Sequence, residues 1–129
     1  MGEPVSGTTL NVRLYKAALK AFRDLAEYGF RPIDTDLDSY RGGTVSFTDG
    51  FRLVTISADW IEGLIDVTVR EAGSPAQPLE AIVPDAARSL RLSRLSPAPT
   101  KGMLTSRLVE VTRVLRLYLD IRRDDLQEG

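Results

Sequence analysis

Two alternating segments joined by Asp49-Gly50 constrain the fold of this 129-residue chain more than any other feature. The segments cover residues 43–48 and 51–58, and each places apolar and polar side chains in turn, as a strand with one buried face does. Asp-Gly favours a type I′ turn, because both central residues of that turn need a positive φ. The sequence therefore predicts a β-hairpin with a two-residue loop, in which Val45 lies opposite Val54.

A third strand is predicted over residues 64–70, where β-branched residues alternate with polar ones. A connecting loop over residues 59–62 places Val67 of this strand opposite Val54. The apolar side chains of all three strands then share one face. That agreement predicts an antiparallel meander with one buried face and one partly solvated face.

An amphipathic helix is predicted over residues 11–28. Its apolar residues recur at intervals of three and four, which produces one apolar stripe. Asn11 or Thr8 is suited to cap the N-terminus, and Gly29 is suited to the left-handed conformation that often ends a helix. Phe30 is expected to fold back onto this cap as its hydrophobic contact.

A second helix is predicted over residues 104–121. Its principal apolar stripe consists of Leu104, Leu108, Val111, Leu115 and Tyr118. Three more apolar residues widen the stripe to two adjacent faces, namely Val114, Leu117 and Ile121. A helix of this kind packs against a sheet and a second helix together, or it uses one face in a homodimer, and the sequence allows both arrangements.

These elements predict a single α+β domain over residues 1–129, with a three- or four-stranded antiparallel meander and the N- and C-terminal helices packed on one face. The number of strands depends on residues 79–83, which suit either a short fourth strand or the approach to a helix. Residues 84–90 are predicted to form a short helix, with Pro84 in its first turn.

The chain contains no cysteine and no histidine, which limits its chemistry. Disulfides, thiol nucleophiles, imidazole acid–base catalysis and ordinary zinc sites are therefore excluded. Because histidine is the most frequent acid–base group in enzymes, we expect a protein that is not an enzyme and that uses no cofactor. The net charge of −1 argues against general nucleic-acid binding.

The sequence predicts a cytoplasmic protein without a membrane partner. Its apolar runs are shorter than a membrane span. The N-terminus also lacks the basic segment followed by an apolar segment that marks a secretory signal.

Three aspartates at alternate positions, Asp34, Asp36 and Asp38, form a conspicuous acidic cluster. A calcium loop of the EF-hand type needs glycine at its sixth position and glutamate at its twelfth, whereas this chain has Ser39 and Val45 there. The leading interpretation is a solvated loop between helix and sheet. A surface that binds a basic partner comes second, and a metal site comes last.

Two other features suggest binding surfaces. Trp60 is the only tryptophan, and it is interpreted either as an exposed anchor for a partner or as a side chain folded back over the end of the sheet. Three arginines recur at intervals of three, Arg88, Arg91 and Arg94, which share one face if the segment is helical. Such a face suits phosphate or nucleic acid, but no aromatic residues are interleaved there for stacking.

The elements follow a recognisable order: a helix ending in Tyr28-Gly29-Phe30, then strands at Val45-Ser46-Phe47, Leu53-Val54-Thr55-Ile56 and Ile65-Asp66-Val67-Thr68-Val69, then a closing helix. This order resembles small uncharacterised bacterial α+β proteins, some of which are similar to immunity proteins of polymorphic toxin systems. The resemblance covers most of the chain as a pattern of elements, and it carries over no functional residue.

The sequence thus predicts a non-catalytic domain of the immunity or adaptor kind that binds another protein through Asp34, Asp36, Asp38 and Trp60. The acidic side chains are expected to steer a basic partner, and the tryptophan is expected to be the buried anchor. The alternative is binding of phosphate or nucleic acid through the basic segment 88–107, and an enzyme that works through carboxylates is the third hypothesis.

Overall fold

A computed structural model describes residues 6–85, 95 and 98–128, with side chains as far as Ile121. Within those ranges the chain forms a five-stranded sheet with a helix at each end. None of the helices described there combines the length and the apolar character that crossing a membrane requires. The predicted α+β class is confirmed, and the sheet has one or two strands more than predicted.

The N-terminal helix, α1 (Gly7–Ala21), begins four residues before the predicted start. Its N-cap is Ser6, whose Oγ accepts a hydrogen bond from the Thr9 N–H at 3.2 Å. The prediction of Asn11 or Thr8 as the cap was therefore wrong. A serine oxygen at this position satisfies one of the amide groups that every helix leaves unpaired at its start.

After α1 the chain tightens into a 3₁₀ helix (Phe22–Tyr28) that ends at Gly29. Gly29 adopts a left-handed conformation with a φ of 89°, and its N–H donates a hydrogen bond to the Ala26 carbonyl at 2.9 Å. Phe30 folds back and is buried with Leu25 in the core. The predicted cap is confirmed, because glycine adopts a positive φ without the steric cost of a Cβ.

Five antiparallel strands pair in chain order, so the sheet is a meander. The strands are β1 (Arg31–Asp36), β2 (Gly42–Thr48), β3 (Arg52–Asp59), β4 (Leu64–Glu71) and β5 (Gln77–Pro78). Strands β2 to β4 are the predicted meander, and β1 stands where an acidic loop was predicted. Most of residues 79–83 form a one-turn helix, α2 (Leu79–Ile82), and not a fourth strand.

The pairing of the central strands differs from the predicted pairing by two residues. Val45 lies opposite Ile56 rather than Val54, and Val54 lies opposite Val69 rather than Val67. Side chains of a strand alternate with a period of two, so a shift of two residues leaves each side chain on its predicted face. The buried face is therefore as predicted, although both pairings were wrong.

The Asp49 side chain explains the wider turn between β2 and β3. Its Oδ1 accepts hydrogen bonds from the N–H groups of Phe51 and Arg52 at 2.9 and 2.6 Å. Aspartate often bonds the backbone a few residues further on, and this local pattern competes with the two-residue turn that Asp-Gly favours. The result is that pairing begins only at Thr48 and Leu53.

The C-terminal helix, α3 (Lys101–Glu128), extends beyond both predicted ends. The predicted apolar stripe is buried, together with Val114 and Leu119. Leu117 and Ile121 are 45% and 53% exposed, so the second predicted face of the helix is open in the single chain. A homodimer through that face stays a prediction.

Both helices cover the same face of the sheet. Helix α1 packs against α3 and against β2, and the inward side chains of the strands join those of both helices in one core cluster. The rings of Phe22 and Phe47 stack with centroids 4.4 Å apart and an interplanar angle of 11°. This pair joins the helical layer to β2. None of the described helices covers the other face of the sheet, which we call the open face.

Candidate functional site

The three predicted aspartates lie along one edge of the sheet. Asp34 and Asp36 belong to β1, whose six residues are all exposed, and Asp38 follows in the turn to β2. Asp34 pairs with Ser46, and Asp36 pairs with Thr44. Paired residues of neighbouring strands point to the same side of a sheet. Both carboxylates therefore lie on the open face, beside the hydroxyl groups of β2.

The predicted loop is a strand because an edge tolerates residues that the middle of a sheet does not. Strand β1 has β2 on one side and, among the described strands, none on the other. Three features of β1 disfavour pairing with a further strand: Pro32, the irregular register between Pro32 and Asp34, and the exposed carboxylates. Aspartate and proline are depleted in strands generally, so propensity alone does not reveal β1.

Replacement of both Asp34 and Asp36 by threonine is expected to make the protein associate. Threonine favours strands, and the double change removes the charges that keep another edge from pairing with β1. Sedimentation velocity over a range of protein concentrations should show additional, larger species for this variant.

The control variant carries Asp24→Asn and Glu110→Gln, which change the net charge by the same amount at exposed positions on the helices. It should sediment like the wild type. Equal association of the two variants would show that net charge, and not the edge of the sheet, controls assembly.

A buried side chain of α1 holds the turn that carries Asp38. Asn11 is fully buried, and its Nδ2 donates hydrogen bonds to the carbonyl groups of Leu37 and Ser39 at 2.9 and 2.7 Å. Its Oδ1 accepts a hydrogen bond from the Trp60 indole N–H at 2.7 Å. One buried amide therefore ties the β1–β2 turn and the β3–β4 turn to the same helix.

Trp60 folds back over the end of the sheet, which is one of its two predicted interpretations. The side chain is half-buried and packs against the core. Its backbone N–H donates a hydrogen bond to the Arg41 carbonyl at 2.8 Å, which joins the two turns a second time. Trp60 supports this end of the sheet from within, and its direct contact with a partner stays a prediction.

The large apolar side chains that extend furthest into solvent at this end are Tyr40 and Ile61. They are 78% and 69% exposed, and each lies on one of the two turns that Asn11 joins. The sequence does not distinguish them, because a single tyrosine and a single isoleucine in two separate turns produce no periodic pattern. Only the pairing of the strands brings them to the same end of the sheet.

The turn around Ile61 also orients a carboxylate. The N–H groups of Ile61 and Glu62 each donate a hydrogen bond to the Asp59 Oδ1 at 3.0 Å. The Glu62 N–H is the largest cause that lowers the pKa of Asp59, and burial is the next largest cause and opposes it. The Ile61 N–H and the Arg41 guanidinium, 3.5 Å away, lower the pKa further. Asp59 is therefore ionised at neutral pH.

Two glycines let the backbone approach its neighbours closely at this end. A Cβ on Gly42 would lie 1.8 Å from the Ala58 carbonyl oxygen, and a Cβ on Gly43 would lie 2.6 Å from the Asn11 Oδ1. Any larger residue would displace the neighbouring strand or the buried amide. The Gly42-Gly43 pair is therefore a packing requirement at the start of β2.

An open depression of about 390 Å³ lies on the solvent face of the sheet, next to these glycines. Three carboxylates line it, those of Asp36, Asp59 and Asp66, whereas Arg41 contributes the one guanidinium among the described lining residues. We call the whole surface the acidic tip, and it consists of Asp34, Asp36, Asp38, Tyr40, Arg41, Asp59, Ile61 and Asp66. Its charges are five negative and one positive.

The remaining predicted sites find no support in the described residues. Arg88, Arg91 and Arg94 lie outside them, so binding of phosphate or nucleic acid through these arginines stays a prediction. In the described part of the chain, no group of three or more carboxylates is arranged to hold a metal ion. The structure therefore adds nothing to the metal interpretation of the aspartate cluster.

Comparison of the chain with protein-family models, with curated proteins and with solved structures yields no match. The predicted resemblance to toxin-immunity proteins therefore stays a prediction.

Proposed function

We propose that this domain is a non-catalytic protein-binding module of the immunity or adaptor kind, and that its acidic tip binds a basic partner. The observation that supports the proposal is the placement of two exposed apolar side chains, Tyr40 and Ile61, among five carboxylates at one end of the sheet. A cytoplasmic location belongs to the proposal, because a chain without cysteine does not depend on an oxidising compartment for disulfides.

The apolar and acidic residues of the tip have different roles in this proposal. Tyrosine is enriched among the residues that contribute most to binding energy, since its ring buries a large area at a low cost in conformational entropy. Carboxylates at the rim of an interface contribute less affinity, but they raise the rate of encounter with a basic partner and oppose acidic ones. We therefore expect Tyr40 and Ile61 to determine affinity and the aspartates to determine association rate.

The hydrogen bonds beneath the tip lower the cost of binding. Asn11 and Trp60 hold both turns in place before any partner arrives, through four hydrogen bonds of 2.7 to 2.9 Å. A loop that is already ordered does not lose that conformational entropy on association. The tip is thus suited to bind as a preformed surface.

The test begins with capture of a partner from the cell extract on the immobilised full chain, followed by measurement of the dissociation constant with the purified partner. The double variant Tyr40→Ala/Ile61→Ala should weaken binding by about tenfold or more, as truncation of a central anchor does. The triple variant Asp34→Asn/Asp36→Asn/Asp38→Asn should mainly slow association, and its effect should shrink at high salt.

The matched control is Phe51→Ala. Phe51 is also an exposed aromatic residue on a turn of the sheet, but it lies at the opposite end of β2 and β3. Binding by this variant should equal that of the wild type. A partner that is lost with Phe51→Ala and kept by the Tyr40→Ala/Ile61→Ala variant would refute the acidic tip as the site.

A further inference from the structure

The turn between β2 and β3 contains the only place in this chain where aspartate precedes glycine, and asparagine nowhere precedes glycine. In such a pair the backbone nitrogen of the glycine can attack the side-chain carboxyl carbon of the aspartate. Glycine favours this attack, because it has no Cβ to obstruct the approach and its backbone adopts conformations that other residues avoid. The sequence Asp49-Gly50 is therefore the pair in this chain that is most susceptible to isomerisation.

Isomerisation proceeds through a cyclic succinimide and needs only water. The Gly50 nitrogen forms a bond to the Asp49 Cγ, and a carboxyl OH leaves together with the amide proton as water. Water then opens the ring at either carbonyl group. Opening at the former backbone carbonyl gives isoaspartate, in which the main chain runs through the side chain, and opening at the other carbonyl restores aspartate. The local geometry of the turn therefore controls the rate.

In the folded chain both carboxyl oxygens of Asp49 already have partners. The Oδ1 accepts hydrogen bonds from the N–H groups of Phe51 and Arg52 at 2.9 and 2.6 Å, and the Oδ2 forms a salt bridge with the Arg52 Nη1 at 3.1 Å. The side chains of Asp49 and Arg52 are only 10% and 15% exposed. One of the two oxygens has to gain a proton and leave as water, so the reaction requires that contacts with largely buried partners break.

The attacking nitrogen has a partner as well. The Gly50 N–H donates a hydrogen bond to the Thr48 Oγ1 at 3.0 Å, and the same hydroxyl donates a hydrogen bond to the Arg52 carbonyl at 2.7 Å. The amide has to lose its proton in order to attack, and a threonine hydroxyl is a poor base. Thr48 therefore holds the Gly50 amide in an unreactive state.

We propose that Asp49-Gly50 is an isomerisation site that the folded turn protects and that unfolding exposes. In the unfolded chain, water replaces the partners of Asp49 and Gly50, and the carboxyl group and the amide meet without constraint. Isoaspartate adds a methylene group to the backbone, so a chain modified here no longer fits the hydrogen bonds of this turn. The site lies at the opposite end of β2 and β3 from the acidic tip, and the proposal is independent of the proposed function.

The test compares the folded chain with the same chain denatured in guanidinium chloride, at equal pH and temperature. Sodium chloride brings the folded sample to the same ionic strength. Samples taken over time are digested, and electron-transfer mass spectrometry distinguishes isoaspartate from aspartate at position 49. The denatured chain should accumulate isoaspartate there at least about tenfold faster, because several contacts oppose the reaction in the folded turn. Equal rates in the two states would refute the proposal.

A variant tests the contribution of the Gly50 amide. Thr48→Val removes the oxygen that accepts the Gly50 N–H and nearly keeps the shape of the side chain. When folded, it should form isoaspartate about three- to tenfold faster than the folded wild type, which is the effect of one hydrogen bond on a rate. The two denatured chains should react alike.

The matched control is Thr68→Val, which replaces a threonine of β4 outside this turn. Its rate should equal that of the wild type in both states. An unchanged rate for folded Thr48→Val, or equal acceleration by both variants, would show that the contact with Thr48 does not protect the site. If circular dichroism shows that Thr48→Val does not fold, the comparison of the folded and denatured wild type decides the question.

Discussion

Replacement of Phe47 by alanine is expected to lower the free energy of unfolding by about 3 to 5 kcal/mol, the usual cost of removing a buried phenylalanine ring. Phe47 is 3% exposed near the C-terminal end of β2, and its ring stacks on that of Phe22, which is equally buried. The variant loses this stacking contact and leaves a cavity between the helical layer and the sheet. Since a domain of this size is stable by only about 5 to 15 kcal/mol, the variant should lose a substantial share of its stability.

Urea denaturation followed by far-UV circular dichroism measures this loss, and Phe51→Ala is the matched control. Phe51 belongs to the same hairpin but is 51% exposed, with the Arg52 guanidinium 5.5 Å from its ring centroid. Its removal should cost at most about 1 kcal/mol, the value of an exposed cation–π contact. Similar losses for the two variants would mean that the stacked pair does not join the two layers as described.

Replacement of Asn11 by leucine is expected to lower the free energy of unfolding by about 2 to 4 kcal/mol, although the two side chains are similar in size. The change removes three hydrogen bonds and leaves the carbonyl groups of Leu37 and Ser39 and the Trp60 indole N–H without this partner. A buried polar group without a partner costs about 1 to 3 kcal/mol, and partial access of water to the turns reduces the sum.

Trp60 reports this change directly, because it is the only tryptophan of the chain. Its fluorescence emission should shift to longer wavelength in Asn11→Leu under native conditions, as the indole loses its anchor and becomes more hydrated. Val12→Ala is the control on the same helix: Val12 is 43% exposed, so stability should change by only about 0.5 kcal/mol and the emission should stay unchanged. If Asn11→Leu has the same emission spectrum and the same unfolding midpoint as the wild type, the hydrogen bonds of Asn11 do not stabilise the turns of the acidic tip.

The faces of the sheet were predictable from local pattern, whereas the pairing of its strands was not. Alternation at Val45, Phe47, Val54 and Ile56 identifies the buried side correctly, because period two is a property of each strand alone. The pairing depends on how many residues the turn uses, and Asp49 binds the backbone in a way that Asp-Gly does not specify. A shift of two residues in the pairing leaves every side chain on the same face of the sheet. The alternation of apolar residues therefore does not reveal the shift, and the set of buried residues does not change.

The candidate site was predictable only in part. The acidic residues stand out in the sequence as a cluster, and their exposure follows from their charge. Contacts between segments that are far apart in the chain place Asp34 and Asp36 on an edge strand. The same contacts bring Tyr40 and Ile61 to the same surface. The sequence does contain one local indication for Asn11, which lies three residues before Leu14 and so on the apolar stripe of its helix. A polar side chain on a buried stripe needs buried hydrogen-bond partners.

The sequence by itself determined the class of the fold, the buried faces of its helices and strands, and the chemistry that a chain without cysteine or histidine excludes. These properties follow from side-chain type and periodicity, which act within a single element. The tertiary structure alone decided the strand pairing, the edge position of the acidic strand, and the meeting of two turns on Asn11. Those depend on contacts such as that between Asn11 and Trp60, whose partners are far apart in the chain and meet only when the whole core has packed.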